Sequence, residues 1–356
     1  MTIEQMKIEI LPVESSPKST SGIANQDFQT EVISLKQLFA QFLEMEVGDG
    51  AASSDTVTSY LSQAKIYLGW CKDTLIKPLR ANKNDIQLYR QYLIDQHYTV
   101  GTIANKLTII NRFYQAAVNR GLIEVNPTIG VKAPQVRIDP AANISFLELD
   151  ELRLLLEKIE SKLNQAKTNK QRLPILRDLI IIGIMALEGC RTVELHQLQV
   201  DQIIHQGEKT GLKVFAKRAT RIVPLTKNLS LQLEQYLEMR QKVLRHKLKS
   251  EDYVFISLSN NSKGKQLSRR GIRAIVDRYL KMARLKHKQG RTITAHSLRH
   301  TAGTQALRTG ANLRQVQDLL GHADPRTTSI YAHIGDRWNN NPAEGILSVL
   351  NNAKKV

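Results

Sequence analysis

Residues 295–333 read AHSLRHTAGTQALRTGANLRQVQDLLGHADPRTTSIYAH, and this stretch decides more about the 356-residue chain than any other. Apolar residues at helical spacing predict helices over 297–309 and 312–320. The HxxR spacing puts His296 and Arg299 on one helix face. His322 follows Gly321 where the second helix should end, and Tyr331 stands nine positions further on. Taken singly these are ordinary features: a solvated pair, an imidazole at a helix terminus, a core tyrosine with its hydroxyl satisfied.

Upstream, the run 179–187 is almost continuously apolar and ends at Gly189, which predicts a buried helix starting near Leu173. Its end presents Cys190 and Arg191, within GCRTVEL. Segments 212–217 and 221–225 are short and β-prone around a tight polar connection, as in a hairpin that carries Lys217, and 253–256 is a candidate further strand. Helical spacing covers 228–246 and 268–283. A capping box of Ser145 and Glu148 is expected ahead of Leu149, Leu152, Leu155 and Leu156.

Segment 126–143 holds Pro127, Pro134, Pro140 and Gly130 with no helical or strand period, and marks a boundary. Before it, four amphipathic helices are expected, around Leu35–Leu43, Val57–Leu68, Ile86–Leu93 and Ile103–Ala117, the last closed by Gly121. The predicted fold is mainly α with a small antiparallel β-sheet, in two lobes. The expected divisions are a mobile tail 1–30, a helical domain 31–128, a linker 129–144, a second domain 145–333 and a tail 334–356. In that last tail Ala343, Ile346, Leu347 and Leu350 form a short apolar helix face, for a neighbouring subunit or for its own domain.

Lysine and arginine total 51 against 33 acidic residues, a formal charge of +18. Such an excess suits an extended anionic partner: DNA, RNA or an acidic membrane. Two distant cysteines, Cys71 and Cys190, exclude a disulfide framework or a CxxC zinc site and fit a reducing interior. Neither a secretory leader nor a bilayer-spanning stretch is expected, so the expected location is cytoplasmic. No Walker-type glycine loop, HExxH or acidic cluster for two magnesium ions is present, so no cofactor and no metal are expected.

Arg191, Lys217, His296, Arg299, His322 and Tyr331, in this order, resemble the catalytic set of the tyrosine recombinase or integrase family. The whole of 295–333 resembles that family's C-terminal signature. The resemblance runs from about Val32 to His333, more loosely in the first lobe. It implies a helical, SAM-like core-binding domain and a mixed α+β catalytic domain closing on DNA as a C-shaped clamp, with 129–144 as the strap. It also implies DNA integration, excision or resolution, the chemistry of a mobile genetic element or of chromosome maintenance. The partner would be double-stranded DNA, bound by a homotetramer on two paired sites, with accessory DNA-bending proteins as candidates.

By the same resemblance Tyr331 is the nucleophile and forms a 3′-phosphotyrosine link. Breaking a phosphodiester builds negative charge on its non-bridging oxygens, and the planar forks of Arg191 and Arg299 suit that charge. His296 is the candidate to assist the phenol and His322 to donate to the phosphate, and this division stays open. Lys217 would protonate the departing 5′ oxygen, although Ala216 and Arg218 stand where relatives usually have glycine, and Lys213 lies near enough to compete. Glu188-Gly189-Cys190 replaces the family's common Thr-Gly-Leu. Glu194 either orients a catalytic group or, as a first-turn glutamate, favours the helix dipole. Lys106, Arg112, Arg269, Arg270 and Arg273 are candidate DNA contacts.

Overall fold

The two stretches of apolar periodicity on either side of the proline-bearing segment become two units, Met1–Arg137 and Ile138–Val356, in the computed structural model of the chain. Residues 21–46, 54–135, 144–215, 220–288, 290–322 and 324–332 are described. Tail 334–356 and its expected helix lie outside them, as do residues 1–20.

The first unit is built from α1 (Ser21–Glu46), α2 (Ser54–Asp73), α3 (Lys83–Asp95) and α4 (Val100–Asn119). Their inward faces bring Phe39, Leu43, Tyr67, Leu68, Ile86, Tyr89, Ile110 and Phe113 into one core, the outcome that three- and four-residue spacing dictates. Asn82 and Thr99 cap α3 and α4 with side-chain oxygens. Gly121, at φ +67°, closes α4, with the Leu122 N–H returning to the Ala117 carbonyl. Inside the core the Tyr67 and Tyr114 hydroxyls bond at 2.6 Å, and Tyr114 donates onward to the Pro78 carbonyl at 2.9 Å, so both of these buried phenols are satisfied. One expectation is corrected. Helix α1 begins at Ser21, inside the expected tail 1–30. Apolar periodicity starts only at Leu35, whereas the nearest helix-breaking proline ahead of α1 is Pro17.

The second unit holds α5 (Leu149–Gln165), α6 (Asn169–Leu187), α7 (Thr192–Gln197), β1 (Ile203–Gln206), β2 (Lys209–Phe215), β3 (Thr220–Pro224), α8 (Lys227–Leu244), α9 (Arg269–Met282), β4 (His287–Lys288), β5 (Arg291–Thr292), α10 (Ala295–Arg308), α11 (Leu313–Leu320) and α12 (Pro325–Ala332). Helix α6 is the hub. Ile180, Ile181, Ile182 and Ile184 are all buried, because α5, α8 and α10 pack around it. That is why its sequence shows a continuous apolar run instead of a stripe. At its flank Asp178 is buried between Arg177 and Arg278, tying α6 to α9.

Strands β1, β2 and β3 form an antiparallel sheet in that order, in register at Ile203↔Leu212 and Leu212↔Val223. Strand β1 was not expected, since IIHQ has one apolar pair and no alternation. Conversely, 253–256 adds no strand: only the isolated bridges Gln199↔Tyr253 and Ile256↔Gln266 form there. The expected Ser145–Glu148 capping box is also replaced. Leu147 runs extended, its N–H bonded to Thr301 Oγ1 and its carbonyl accepting from Gln305, so the helix cannot begin until Leu149. The Glu148 N–H then donates to Glu151 Oε2 at 2.9 Å. Among the described residues no helix is long and apolar enough to cross a membrane.

Candidate active site

The signature segment folds into α10, α11 and α12, and α10 supplies most of the site. Spacings of four and seven put His296, His300 and Gly303 on one flank, with Arg299 beside them. Arg299 is 2 % exposed, and its guanidinium donates to the carbonyls of Gly189 and Leu320. Gly189 has φ +66°, and a Cβ there would stand 2.6 Å from Leu320 Cδ2. The turn after α6 therefore closes against the end of α11, which only glycine permits.

Arg191 is the residue that starts α7. Its backbone N–H and Nη1 both reach the Glu194 carboxylate, at 2.7 and 2.9 Å, and Nη2 donates to the Gly321 carbonyl at 3.3 Å. The other partner of Glu194 is Arg221 of β3, whose Nη2 lies 3.0 Å from Oε2 and whose Nη1 donates to the Leu319 carbonyl at 2.9 Å. Carbonyls 319, 320 and 321 are thus each bonded to a different arginine. They are the orphan acceptors at the C-terminus of α11, where the helix dipole is negative, so the helix end itself helps to hold three cations together. Among the described residues Glu194 is the one carboxylate bonded into this set, leaving it electropositive.

Tyr331, on α12, is 1 % exposed, and its Oη lies 2.7 Å from His300 Nδ1. Its ring lies against α10 where Gly303 has no side chain: a Cβ there would stand 3.2 Å from both Cε1 and Cζ. His322 follows Gly321 and is fixed by Nδ1 on Thr328 Oγ1 at 2.9 Å, with its ring stacked near Tyr331 at 6.4 Å between centroids. His296 meets His300 edge-on at 4.5 Å.

Burial governs the charges. It lowers Arg299 to about 10, helped by neighbouring Arg191, so that guanidinium stays charged at neutral pH. Burial, then the nearby cation Arg299, brings His322 down to about 4. Burial, then His296 and Arg299, does the same to His300. His296 is lowered as well, by burial and Arg299. Burial pushes the Tyr331 phenol up to about 12 against the opposing pull of Arg299 and Arg191. At neutral pH the resting site holds a neutral phenol, neutral imidazoles and charged arginines.

Of the residues expected from sequence, Arg191, Glu194, His296, Arg299, His322 and Tyr331 come together. Lys217 lies outside the described residues. Lys213, its competitor, is exposed on β2 opposite Ile222. Arg269 and Arg273 of α9 line one pocket with Arg191, His296 and Arg299, and Arg112 and Arg270 are exposed. Lys106 is corrected: it is 6 % exposed, with Nζ bonded to Gln63 Oε1 at 2.7 Å and set over the Tyr98 ring, and so is committed inside the first unit. Two residues were missed. His300 stood in HSLRH, one helical turn beyond His296, a spacing that could have revealed it. Arg221 shares the inward face of β3 with Val223, and a cation at an inward strand position is itself a signal.

The catalytic model of the phage integrase family matches residues 146–337, and the model of its N-terminal SAM-like domain matches 39–121. The chain belongs to the phage integrase family. Among curated relatives of this tyrosine recombinase, XerC of Thermodesulfovibrio yellowstonii is 30 % identical over 83 % of this chain and 90 % of its own length. XerD of Listeria innocua is 28 % identical over 84 % and 95 %. In fold, the integrase is similar to XerH site-specific recombinase bound to palindromic difH substrate in a post-cleavage complex (TM-score 0.66, 18 % identity, 91 % and 90 % covered). It is similar also to the Tn1549 transposon integrase with transposon right end DNA (TM-score 0.60, 14 % identity, 89 % and 99 % covered).

Proposed function

We propose that this tyrosine recombinase breaks DNA by attack of Tyr331 Oη on a phosphodiester and exchanges strands between two duplex sites. The observation that carries the reading is the assembly of a buried phenol, two neutral imidazoles and the guanidinium groups of Arg191 and Arg299 within one cluster. Oη bonds to phosphorus, the bond to the 5′ oxygen breaks, and a 3′-phosphotyrosine remains. Arg191 and Arg299 stabilise the charge that develops on the phosphoryl oxygens. Glu194 holds Arg191 in place, His296 and His322 border the phosphate, and Lys217 protonates the departing oxygen. Because the covalent link keeps the energy of the broken bond, a 5′-hydroxyl from another strand rejoins it with neither ATP nor metal.

The formal charge of +18 supports duplex DNA as the partner, with Arg112, Arg269, Arg270 and Arg273 neutralising phosphates. In this reading residues 31–128 are the core-binding domain, 129–144 the linker and 145–333 the catalytic domain, while 334–356 docks on a neighbouring subunit. A homotetramer then joins two sites, with accessory DNA-bending proteins where the sites require them. The test is a strand-exchange assay in EDTA with two differently labelled duplexes carrying candidate sites from the DNA flanking the gene. Hybrid products support recombination. Relaxation of supercoils without hybrids would make the protein a single-duplex nicking and resealing enzyme instead.

A further inference from the structure

Where Tyr331 sends its proton is written in α10. A phenol that attacks phosphorus must lose a proton as the new bond forms, and its ordinary pKa near 10 leaves little phenolate at neutral pH. Burial makes that deficit larger here. A hydrogen-bonded base is therefore required, and geometry selects it before basicity does. His296, the histidine of the HxxR spacing, has its ring edge-on to His300. The phenol oxygen is met instead by His300 Nδ1, at 2.7 Å.

We propose that His300 is a catalytic residue of this enzyme, the base that takes the Tyr331 proton during cleavage and returns it during rejoining. The inference rests on Tyr331 being the nucleophile. In the forward step the Oη–P bond forms and the P–O5′ bond breaks. The phenolic proton moves to His300 Nδ1, and Lys217 delivers a proton to O5′, releasing a 5′-hydroxyl. Rejoining reverses both transfers.

Three features of the fold support this assignment. The acceptor and the bare backbone of Gly303 lie one turn apart on one flank of α10, so the ring that packs at Gly303 places its oxygen at His300. The titratable and charged groups facing His300 are His296 and Arg299 on α10 itself, Tyr331 on α12, and His322 beyond the end of α11. None of these is a carboxylate that would hold the imidazole protonated. Burial acts in the same direction: it leaves the ring neutral, with a lone pair free for the phenol proton, at the expense of its basicity, so the assignment stands on the 2.7 Å contact.

The test is single-turnover formation of the covalent complex on nicked DNA, measured from pH 5.5 to 9.5 in the full-length protein, His300→Gln and His300→Ala. Gel-shift binding of the same DNA controls for folding. Glutamine can accept the phenol hydrogen bond but cannot take the proton. His300→Gln should slow cleavage by about 10²–10⁴-fold and regain rate as pH rises, while DNA binding is kept. Added imidazole should partly restore His300→Ala. Cleavage by His300→Gln within about threefold of the unmodified protein, with an unchanged pH profile, would overturn the proposal. Should either variant fail to bind DNA, ¹⁵N-histidine NMR of the unmodified protein decides: an unprotonated Nδ1 and protonated Nε2 on His300 at pH 7 support the role, and the opposite tautomer contradicts it. Tyr331→Phe run in parallel separates the two readings. If that variant is dead while His300→Gln is unaffected, His300 alone is misassigned; if that variant still forms the covalent complex, the nucleophile is misassigned as well.

Discussion

Arg299 illustrates how little of a proposed catalytic position can be changed. Its guanidinium spans two carbonyls, that of Gly189 in the turn after α6 and that of Leu320 at the end of α11, while remaining charged in a nearly closed site. A lysine keeps the charge but presents a point donor instead of a planar fork. Arg299→Lys is expected to lower the single-turnover cleavage rate by about 10²–10³-fold, with DNA affinity little changed, as a filter-binding titration alongside the rate would show. The buried imidazoles make a second prediction. Both His300 and His322 sit near 4 in the folded protein against an ordinary value of 6.5. The unfolded chain therefore binds protons first as pH falls, so their contribution to stability is complete above about pH 6.5 and is lost on the way down to 4. The melting temperature should fall over that window, and His322→Asn should flatten the fall. A variant that melts with the same pH dependence as the parent would contradict the assignment.

The arginine cluster depends on how three elements end. Helix α6 must stop at a left-handed Gly189, α11 must stop at a left-handed Gly321, and β3 must carry Arg221 inward. A Cβ on Gly321 would stand 2.4 Å from Arg221 Cδ, in a backbone conformation that side chains avoid. Gly321→Ala is expected to cost about 1–3 kcal/mol of stability and to reduce cleavage further by moving Arg221 and His322; thermal melting and the single-turnover rate would show both. Much of this is legible in the sequence: the buried α6, helices expected over 297–309 and 312–320 and found at Ala295–Arg308 and Leu313–Leu320, and Gly121 closing α4 all follow from apolar period and glycine placement. Other features are not. Arg221 acts through partners 27 and 98 positions away in sequence, at Glu194 and Leu319, and no local pattern encodes such pairs. His300 was visible as a letter in HSLRH, but its meeting with Tyr331 depends on the angle at which α12 returns across Gly303. The late start of α5 has the same origin, since Leu147 is held by Thr301 and Gln305 from α10.

Charge patterning points to an extended anionic partner but misjudges one contact. Lys106 is a candidate phosphate ligand by its place on a basic helix face, yet burial commits it inside its own unit, where Gln63 and Tyr98 hold it. The two kinds of cation should separate in salt titrations. Arg273→Ala is expected to weaken DNA binding and to reduce the slope of log affinity against log salt by about 1. Lys106→Ala should leave that slope unchanged and lower the thermal stability of the first unit. The central claim, that Tyr331 breaks DNA by becoming bonded to it, is tested most directly on a nicked suicide substrate. Purified protein and Tyr331→Phe are incubated with it in EDTA and resolved on a denaturing gel. A protein–DNA band that forms with the unmodified chain and vanishes in the variant is the predicted result; a covalent band that survives Tyr331→Phe would contradict it.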